Sequence, residues 1–568
     1  MGSSWRLYTL WLLLCVALAG LLWRLIDLNI LDRSFLLRQS KARILRKVNI
    51  PAYRGMITDR LGSPLAISTP VDSVWINPEQ FQATPQQLQK LSAILQIPVS
   101  FIQRRARKVG DHEFVYLKRG NPPFISDQIR ALKIPGVHFQ REYRRYYPEG
   151  EVTAHVVGLT NIDDRGQEGL ELAFNKWLGG MPGKKEVLKD RLGHVIANVA
   201  FLKKPQQGHD LVLSLDHRVQ YLAYRALKEA VTKYQAQSGS IVVLNVKTGE
   251  ILAMVNQPSY NPNNRPKDHD GRYRNRAVTD MFELGSVMKA FTIAFALESG
   301  KYTPDTKIDT DPGWMKIGGY RISDDGLNYG IVTLTELLQK SSNIAAAKIL
   351  LSLQPAHYYD LLTELGFGER TRSGFPGEAT GTLIPHQTWV PSVVATLAYG
   401  YGVAITTLQL AHGYAILADG GIKIPVTFIK RDKVPAGIRV LPQDVANTVI
   451  KMLETVVQKG GTGTRAAVAG YRVSGKTGTA YIAGPNGYYK HRYMSSFVGA
   501  APASDPKLVV AVVLRDPQER HFGGIVAAPV FSKVMSGALR LLDIPPDDLK
   551  SAYSKAGLIP LASPNGKK

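Results

Sequence analysis

The 568-residue sequence predicts one N-terminal membrane helix, a smaller mixed and β-rich domain, and a larger α/β (α+β) domain. Three observations carry that expectation. Leu7 to Trp23 holds no charged residue over 17 positions. Residues 51–205 alternate short apolar runs with Gly, Pro and polar turns. Residues 206–545 carry longer apolar runs and helical spacing. Length alone suggests about three or four domains, and a hydrophobic content of 45% excludes wholesale disorder.

The first element is the apolar run. Seventeen helical residues span about 25 Å, the short end of a membrane crossing. Trp5, Tyr8 and Trp23 flank it as an interfacial belt does. Ala17-Leu18-Ala19 offers a signal-peptide cleavage site, but the apolar run continues past it, which favours an uncleaved anchor. Cys15, the only cysteine, lies inside this run as a small apolar helix residue. It has no partner for a disulfide, and no CxxC or Cys/His cluster suggests zinc. Arg24, Arg33, Arg38, Lys41, Arg43, Arg46 and Lys47 follow the span, whereas only Arg6 and the α-amino group precede it. Taken literally, that asymmetry places the bulk of the chain in the cytoplasm; the chemistry below implies the opposite side.

Charge comes next. The net +24 is spread along the chain, with 28 positive and 16 negative residues in 28–205, and 40 and 29 in 206–568. The basic stretch at 28–50 suits either a solvated stalk or anionic lipid head groups. Arg104-Arg105-Ala106-Arg107-Lys108, the densest run, reads as a solvated helix face. Without a basic stripe interleaved with stacking aromatics, nucleic acid is not an expected partner. The expected divisions are 1–27 (short tail and anchor), 28–50 (stalk), 51–205, 206–545 and 546–568 (a loose Pro, Gly and Lys tail). No internal repeat stands out.

The larger domain holds the chemistry. Ser286-Val-Met-Lys289 opens a helical pattern that ends at Gly300, a plausible C-cap. Residues three apart share a helix face, so the Lys289 amine can reach the Ser286 hydroxyl. A serine is a poor nucleophile until a base takes its proton, and a lysine serves only if burial or a neighbouring cation lowers its pKa. Alone the pattern is weak, because Ser532-Lys-Val-Met comes close by chance. Lys340-Ser341-Ser342-Asn343 precedes a second helical pattern. There Ser341 and Asn343 either cap that helix or offer a hydroxyl and an amide to a substrate. Lys476-Thr477-Gly478-Thr479 reads as a strand with a cation at the mouth of a site and a glycine where a ligand approaches closely.

The three motifs occur in this order, with 55 and then 135 residues between their serines and lysine. This is the set of penicillin-binding proteins and serine β-lactamases, and residues 206–545 resemble a penicillin-binding transpeptidase domain. Gly239-Ser-Ile-Val-Val-Leu, Asn275-Arg-Ala, Gly460-Gly-Thr-Gly-Thr and Ser495-Ser-Phe-Val-Gly extend the match. Arg54-Gly-Met-Ile-Thr-Asp resembles the opening of the pedestal (dimerisation-type) domain of class B penicillin-binding proteins. Arg145-Tyr-Tyr-Pro-Glu-Gly through Gly-Gln-Glu168-Gly-Leu-Glu171 resembles their division-specific branch, the FtsI type (penicillin-binding protein 3). The family usually has Pro where Leu284 and Ala290 stand here.

The resemblance implies a central antiparallel sheet flanked by helices and a serine-type D-Ala-D-Ala transpeptidase that crosslinks peptidoglycan stem peptides during septal wall synthesis. It implies catalytic roles for Ser286, Lys289, Ser341 and Lys476. Asn343, Thr477, Gly478 and Thr479 bind substrate, with the backbone N–H groups of Ser286 and Thr479 as the oxyanion hole. No cofactor and no metal is expected. β-Lactams acylate Ser286. The implied partners are an FtsW-type glycosyltransferase and other division proteins of the inner membrane, with the catalytic domain periplasmic. The alternatives are an elongation-specific transpeptidase, a β-lactamase, and a β-lactam sensor or inactive scaffold.

Overall fold

The computed structural model describes residues 4–31, 45–107, 114–189, 195–265, 271–485 and 487–549. The stalk between 32 and 44 and the tail from 550 lie outside the described residues. The apolar run forms helix α1 (Ser4–Ile26), longer than the sequence reading because it takes in Arg6 and Arg24 at its ends. At 1.5 Å per residue its 23 residues extend about 35 Å, enough to cross a bilayer core. Its mean hydropathy is 2.1 and none of it is buried by protein, so it fits a single-pass anchor. Cys15 is exposed on its surface.

Packing divides the chain into two compact units. One gathers the chain up to residue 55 with 70–144 and 179–209; the other gathers 56–69, 145–178 and the chain from 210 on. The sequence reading divides at 205/206. The packing differs because the Arg145–Glu171 stretch is tied to elements that follow residue 210. Tyr260 donates to the Ala154 carbonyl at 3.2 Å, and His155 Nε2 meets the Arg272 carbonyl at 2.7 Å. Arg145 and Glu171 form an ion pair at 2.6 Å with both side chains almost wholly buried.

In the first unit, Asp72–Ile76 of one strand pairs antiparallel with Val115–Asn121. Helices Pro85–Leu95, Val99–Ala106 and Pro123–Ala131 close a core of Val74, Ile76, Leu91, Leu95, Ile102, Leu117 and Ile129. On the second of these helices Ile102 is buried while Arg104 and Arg105 face solvent, as the sequence implied.

The second unit is built on a five-stranded antiparallel sheet. Helix α2 (His217–Lys233) precedes strands β1 (Ser238–Asn245) and β2 (Ile251–Gln257). Helices α3 (Lys289–Glu298), α4 (Leu334–Lys340), α5 (Asn343–Leu351), α6 (Thr407–Ala418) and α7 (Gln443–Val457) follow. Strands β3 (Ser474–Gly484), β4 (Gly487–Ala501) and β5 (Leu508–Arg515) and helix α8 (Ala528–Leu541) complete it. The spatial order is β2-β1-β5-β4-β3, so β3 is an edge strand.

Near-continuous apolar strands mean that both faces are covered. Ile241 and Val243 of β1, with Val510 and Val512 of β5, face α2 and α8 through Val219, Leu227, Phe531 and Val534. Val242, Leu244, Val509 and Ala511 alternate to the other face, in one core with Phe291 of α3 and Leu410 of α6. The expected antiparallel sheet flanked by helices is therefore present, and its second face buries the helix that carries the predicted nucleophile's partner.

Candidate active site

Gly285–Met288 is a 3₁₀ turn that runs directly into α3. Ser286 thus stands one turn before the α-helix rather than on its first turn. Gly285 has φ +55°, and a Cβ there would stand 3.0 Å from the Thr479 carbonyl, so only glycine fits without strain. Its N–H donates to the Gly400 carbonyl at 3.1 Å, which pins the turn. Leu284 and Ala290, where the family usually has proline, are both fully buried. Gly300 ends the helix with φ +69°, as expected of a residue just past a C-cap.

Ser286 is half-buried, whereas Lys289 has no exposed surface. The amine of Lys289 lies 3.0 Å from Ser286 Oγ. It donates to the Ser341 carbonyl at 2.6 Å and to Asn343 Oδ1 at 2.7 Å, and stands 3.2 Å from Ser341 Oγ. The first two partners can only accept. A neutral amine would give both hydrogens to them and keep its lone pair for the serine hydroxyl. Burial pushes the Lys289 amine down to about 7, against Asp324 and Asp325, which pull it up.

The Ser341–Asn343 segment joins α4 to α5. The sequence left Ser341 or Asn343 as the cap of α5; the cap is Ser342, whose hydroxyl accepts from the Ala345 N–H at 3.1 Å. That frees both neighbours to face Lys289. Ser341 takes φ +65° at the end of α4, a conformation that costs a non-glycine residue about 1–3 kcal/mol. Asp324, which sequence reasoning missed, holds the segment in place. Its carboxylate accepts from Ser342 Oγ at 2.6 Å, from the Asn343 N–H at 2.5 Å and from the Ile344 N–H at 3.0 Å. The Asn343 amide nitrogen donates to the Ser323 carbonyl at 3.0 Å, which fixes the amide with its oxygen toward Lys289. Asp324 follows the strand Tyr320–Ser323 by one residue, and no spacing in the sequence links it to the motifs.

Lys476 lies on β3, fully buried, with its amine 2.9 Å from Ser341 Oγ. Ser341 thus bridges the two lysines. Burial, then the neighbouring Lys289, lower the Lys476 amine well below the usual lysine range. The Thr477 hydroxyl pairs with Thr462 at 2.8 Å, and Thr479 Oγ1 accepts the Gly523 N–H at 3.1 Å, leaving its own hydrogen free to donate. Gly478 is required by packing: a Cβ there would stand 2.3 Å from Ser496 Oγ and 3.0 Å from Val287, on the nucleophile turn. The sequence reading attributed that glycine to ligand approach; its close neighbours are the protein's own.

The direction of the Thr479 N–H follows from the ladder. The Tyr481 N–H donates to the Tyr401 hydroxyl at 3.3 Å, so it points away from β4. Register is regular from Thr479↔Ser495 to Tyr481↔Tyr493, and backbone direction repeats every two residues. The Thr479 N–H and carbonyl therefore also point off the free edge. Gly285, whose Cβ position lies within 3.0 Å of that carbonyl, places the nucleophile turn on the same side.

All eight predicted site residues lie on the 3₁₀ turn and α3, the α4–α5 junction, and β3. The chance match does not join them: Ser532 Oγ bonds the Ala467 carbonyl, and Lys533 pairs with Glu229. One group of metal-ligand type, Asp59, Asp216 and His217, lies among the described residues. Its carboxylates accept hydrogens from Leu61, Ser63, His217 and Arg218, so protein donors already occupy them.

The family description of the penicillin-binding protein transpeptidase domain matches residues 239–536, and that of the penicillin-binding protein dimerisation domain matches residues 49–213. The peptidoglycan D,D-transpeptidase FtsI of Escherichia coli K12 is 41% identical over 552 residues, covering 96% of this chain and 93% of that one. The relative named "Probable peptidoglycan D,D-transpeptidase PbpC" of Pseudomonas aeruginosa is 42% identical over 549 residues, 96% of each chain. Penicillin-binding protein 3 of Mycobacterium tuberculosis, solved with aztreonam, superposes with a TM-score of 0.69 at 28% identity, over 88% of this chain and 98% of that one. The transpeptidase domain of Burkholderia pseudomallei penicillin-binding protein 3 gives 0.55 at 42% identity, over 59% of this chain and 97% of that one. The chain belongs to the class B penicillin-binding proteins, with a dimerisation domain followed by a transpeptidase domain.

Proposed function

We propose that this serine-type peptidoglycan D,D-transpeptidase crosslinks stem peptides at the division septum, anchored in the inner membrane by α1 with its catalytic domain in the periplasm. Relatives named FtsI, at 41% identity over almost the whole chain, support the septal assignment. An FtsW-type glycosyltransferase and other division proteins are the proposed partners.

The observation that carries the chemistry is the buried Lys289 amine, 3.0 Å from Ser286 Oγ and held from behind by two acceptors. Neutral Lys289 takes the Ser286 proton as Oγ attacks the carbonyl of the penultimate D-Ala. The N–H groups of Ser286 and Thr479 stabilise the developing oxyanion. The proton passes from Lys289 to Ser341, 3.2 Å away, and on to the leaving amine of the terminal D-Ala. Lys476 keeps Ser341 oriented and, with the Thr477 and Thr479 hydroxyls, receives the substrate carboxylate. Thr477 must then exchange its bond to Thr462 for that carboxylate. Asn343 retains a second amide hydrogen for a substrate carbonyl. An amine of a neighbouring stem then attacks the acyl-enzyme and leaves a crosslink. β-Lactams enter the same first step and remain on Ser286.

The test uses full-length protein in detergent with a fluorescent penicillin. A stable adduct is expected, and Ser286→Ala is expected to show none. Equal labelling of that variant, or rapid loss of label from the unaltered protein, refutes the assignment. Midcell location of a tagged chain supports the septal role, whereas a dispersed lateral pattern assigns it to elongation.

A further inference from the structure

The first unit carries a second, three-stranded sheet in the order Leu45–Ile50, Gly183–Lys189, Val195–Lys203. Among the described residues the last of these strands pairs on one side only. It ends in a run that the protein leaves uncovered: Val199 is 53% exposed, Phe201 64% and Leu202 48%. Side chains alternate along a strand, so Val199 and Phe201 share one face and Leu202 takes the other. A strand of a soluble sheet normally buries at least one face; here apolar groups are exposed on both. Lysines border the run. Lys203 and Lys204 follow it and are exposed, as is Lys184, the cross-strand partner of Lys203, and Lys185 stands opposite Phe201. The sequences of the three strands hold six basic residues against one acidic residue, Glu186.

We propose that this lysine-bordered strand rests on the surface of the bilayer that α1 spans, with Val199, Phe201 and Leu202 at the acyl boundary and the lysines on anionic phospholipid head groups. The inference rests on α1 as a membrane anchor and is separate from the chemistry at Ser286. Charge and shape select this occupant. Aliphatic and phenyl groups gain by leaving water for the acyl boundary, and a lysine beside them lays its stem along the apolar surface while its amine reaches a phosphate. A lysine on an open edge opposes the addition of a partner's strand, whereas it attracts an anionic membrane. The chain also brings the two together. Leu45 follows Leu31, the end of the short turn after α1, by about 14 positions. At 3.3–3.6 Å per residue the sheet therefore begins at most about 50 Å from the end of the anchor. So few side chains make a weak contact by themselves. It counts because α1 holds the sheet near the surface, where a linked site meets a high effective concentration of lipid. A single span fixes where the chain leaves the bilayer; the second contact sets which face of the first unit meets it.

The experiment uses the full chain in vesicles of phosphatidylethanolamine and phosphatidylglycerol. Cys15→Ala removes the only cysteine, and Val199→Cys then carries an environment-sensitive fluorophore beside Phe201. Val390→Cys, at a position 55% exposed in the second unit, is the control. The expected result is blue-shifted emission at 199, with quenching by head-group nitroxide lipid several-fold stronger than at 390. The contrast is expected to fall in phosphatidylcholine vesicles and in 1 M salt, and to be lost with Lys203→Glu/Lys204→Glu or with Phe201→Ser. Emission at 199 that stays as water-exposed and unquenched as at 390 overturns the inference. Quenching that is equal in neutral and anionic vesicles, and indifferent to the lysine reversals, overturns it as well. Self-quenching between labelled copies without quenching by lipid assigns the strand to a second copy of this chain instead. Labelling by a fluorescent penicillin checks that each variant is folded. If Phe201→Ser fails that check, the lysine pair, on exposed side chains, decides alone. Loss of penicillin labelling in the unaltered protein with lipid quenching retained refutes the transpeptidase reading and leaves this contact standing.

Discussion

Two effects oppose each other at the Lys289 amine. Full burial removes the hydration that keeps a lysine charged, and the Ser341 carbonyl and Asn343 amide take the hydrogens of the neutral form. With its pKa brought down to about 7, the neutral fraction of the amine grows as pH rises through that value and shrinks below it. The acylation rate is therefore expected to fall about tenfold per unit below pH 7 and to level above it. Stopped-flow acylation by a fluorescent penicillin measures this, and a profile flat from pH 5 to 8 refutes Lys289 as the base. The sequence named Ser286, Lys289, Ser341, Asn343, Lys476, Thr477, Gly478 and Thr479 because their spacing is preserved along the chain. It was silent on Asp324, whose contacts come from a strand that shares no motif with them.

Two helix caps separate stability from catalysis at the scale of the element. Thr333 caps α4 in a capping box with Glu336, far from any reacting group in the contacts it makes. Ser342 caps α5 and also bonds Asp324. Each substitution by alanine is expected to cost about 1 kcal/mol of stability, seen as similar drops in Tm. Thr333→Ala is expected to leave the acylation rate unchanged, whereas Ser342→Ala slows it, because the α4–α5 junction loses one of its ties to Asp324. Equal rates for the two variants would show that the junction needs no such tie. Helix signals in the sequence found α3 and its glycine stop but started it one turn early, at Ser286. They pointed to Ser341 or Asn343 as the cap of α5 and passed over Ser342, because all three are good caps locally and the left-handed turn at Ser341 decides.

At the scale of the whole molecule, the sheet and the anchor are each described by their own surroundings. The sheet is covered on both faces, so its inner strands carry Val, Ile and Leu almost without interruption, with β3 at one edge. α1 is apolar between Arg6 and Arg24 and buried by no protein. Removing residues 1–31 is expected to move the protein from the membrane to the soluble fraction while its acylation rate stays within about twofold, since no site residue lies there. Fractionation with labelling checks both halves; a tenfold loss of rate in the soluble protein would tie catalysis to the anchor.

The sequence by itself determined the membrane helix, the family, the α+β class and the order of the three motifs, because these are written in local patterns of 17 to about 20 residues and in fixed residue types. The tertiary structure alone decided which side of β3 the Thr479 N–H faces, which residue caps α5, why Gly478 has no side chain, and that residues 145–178 pack with the chain beyond 210. Each of these depends on a partner more than ten residues away or on the sense of a single φ angle. A linear pattern carries neither quantity; both are fixed when the edge strand, the nucleophile turn and the α4–α5 junction close around one buried amine.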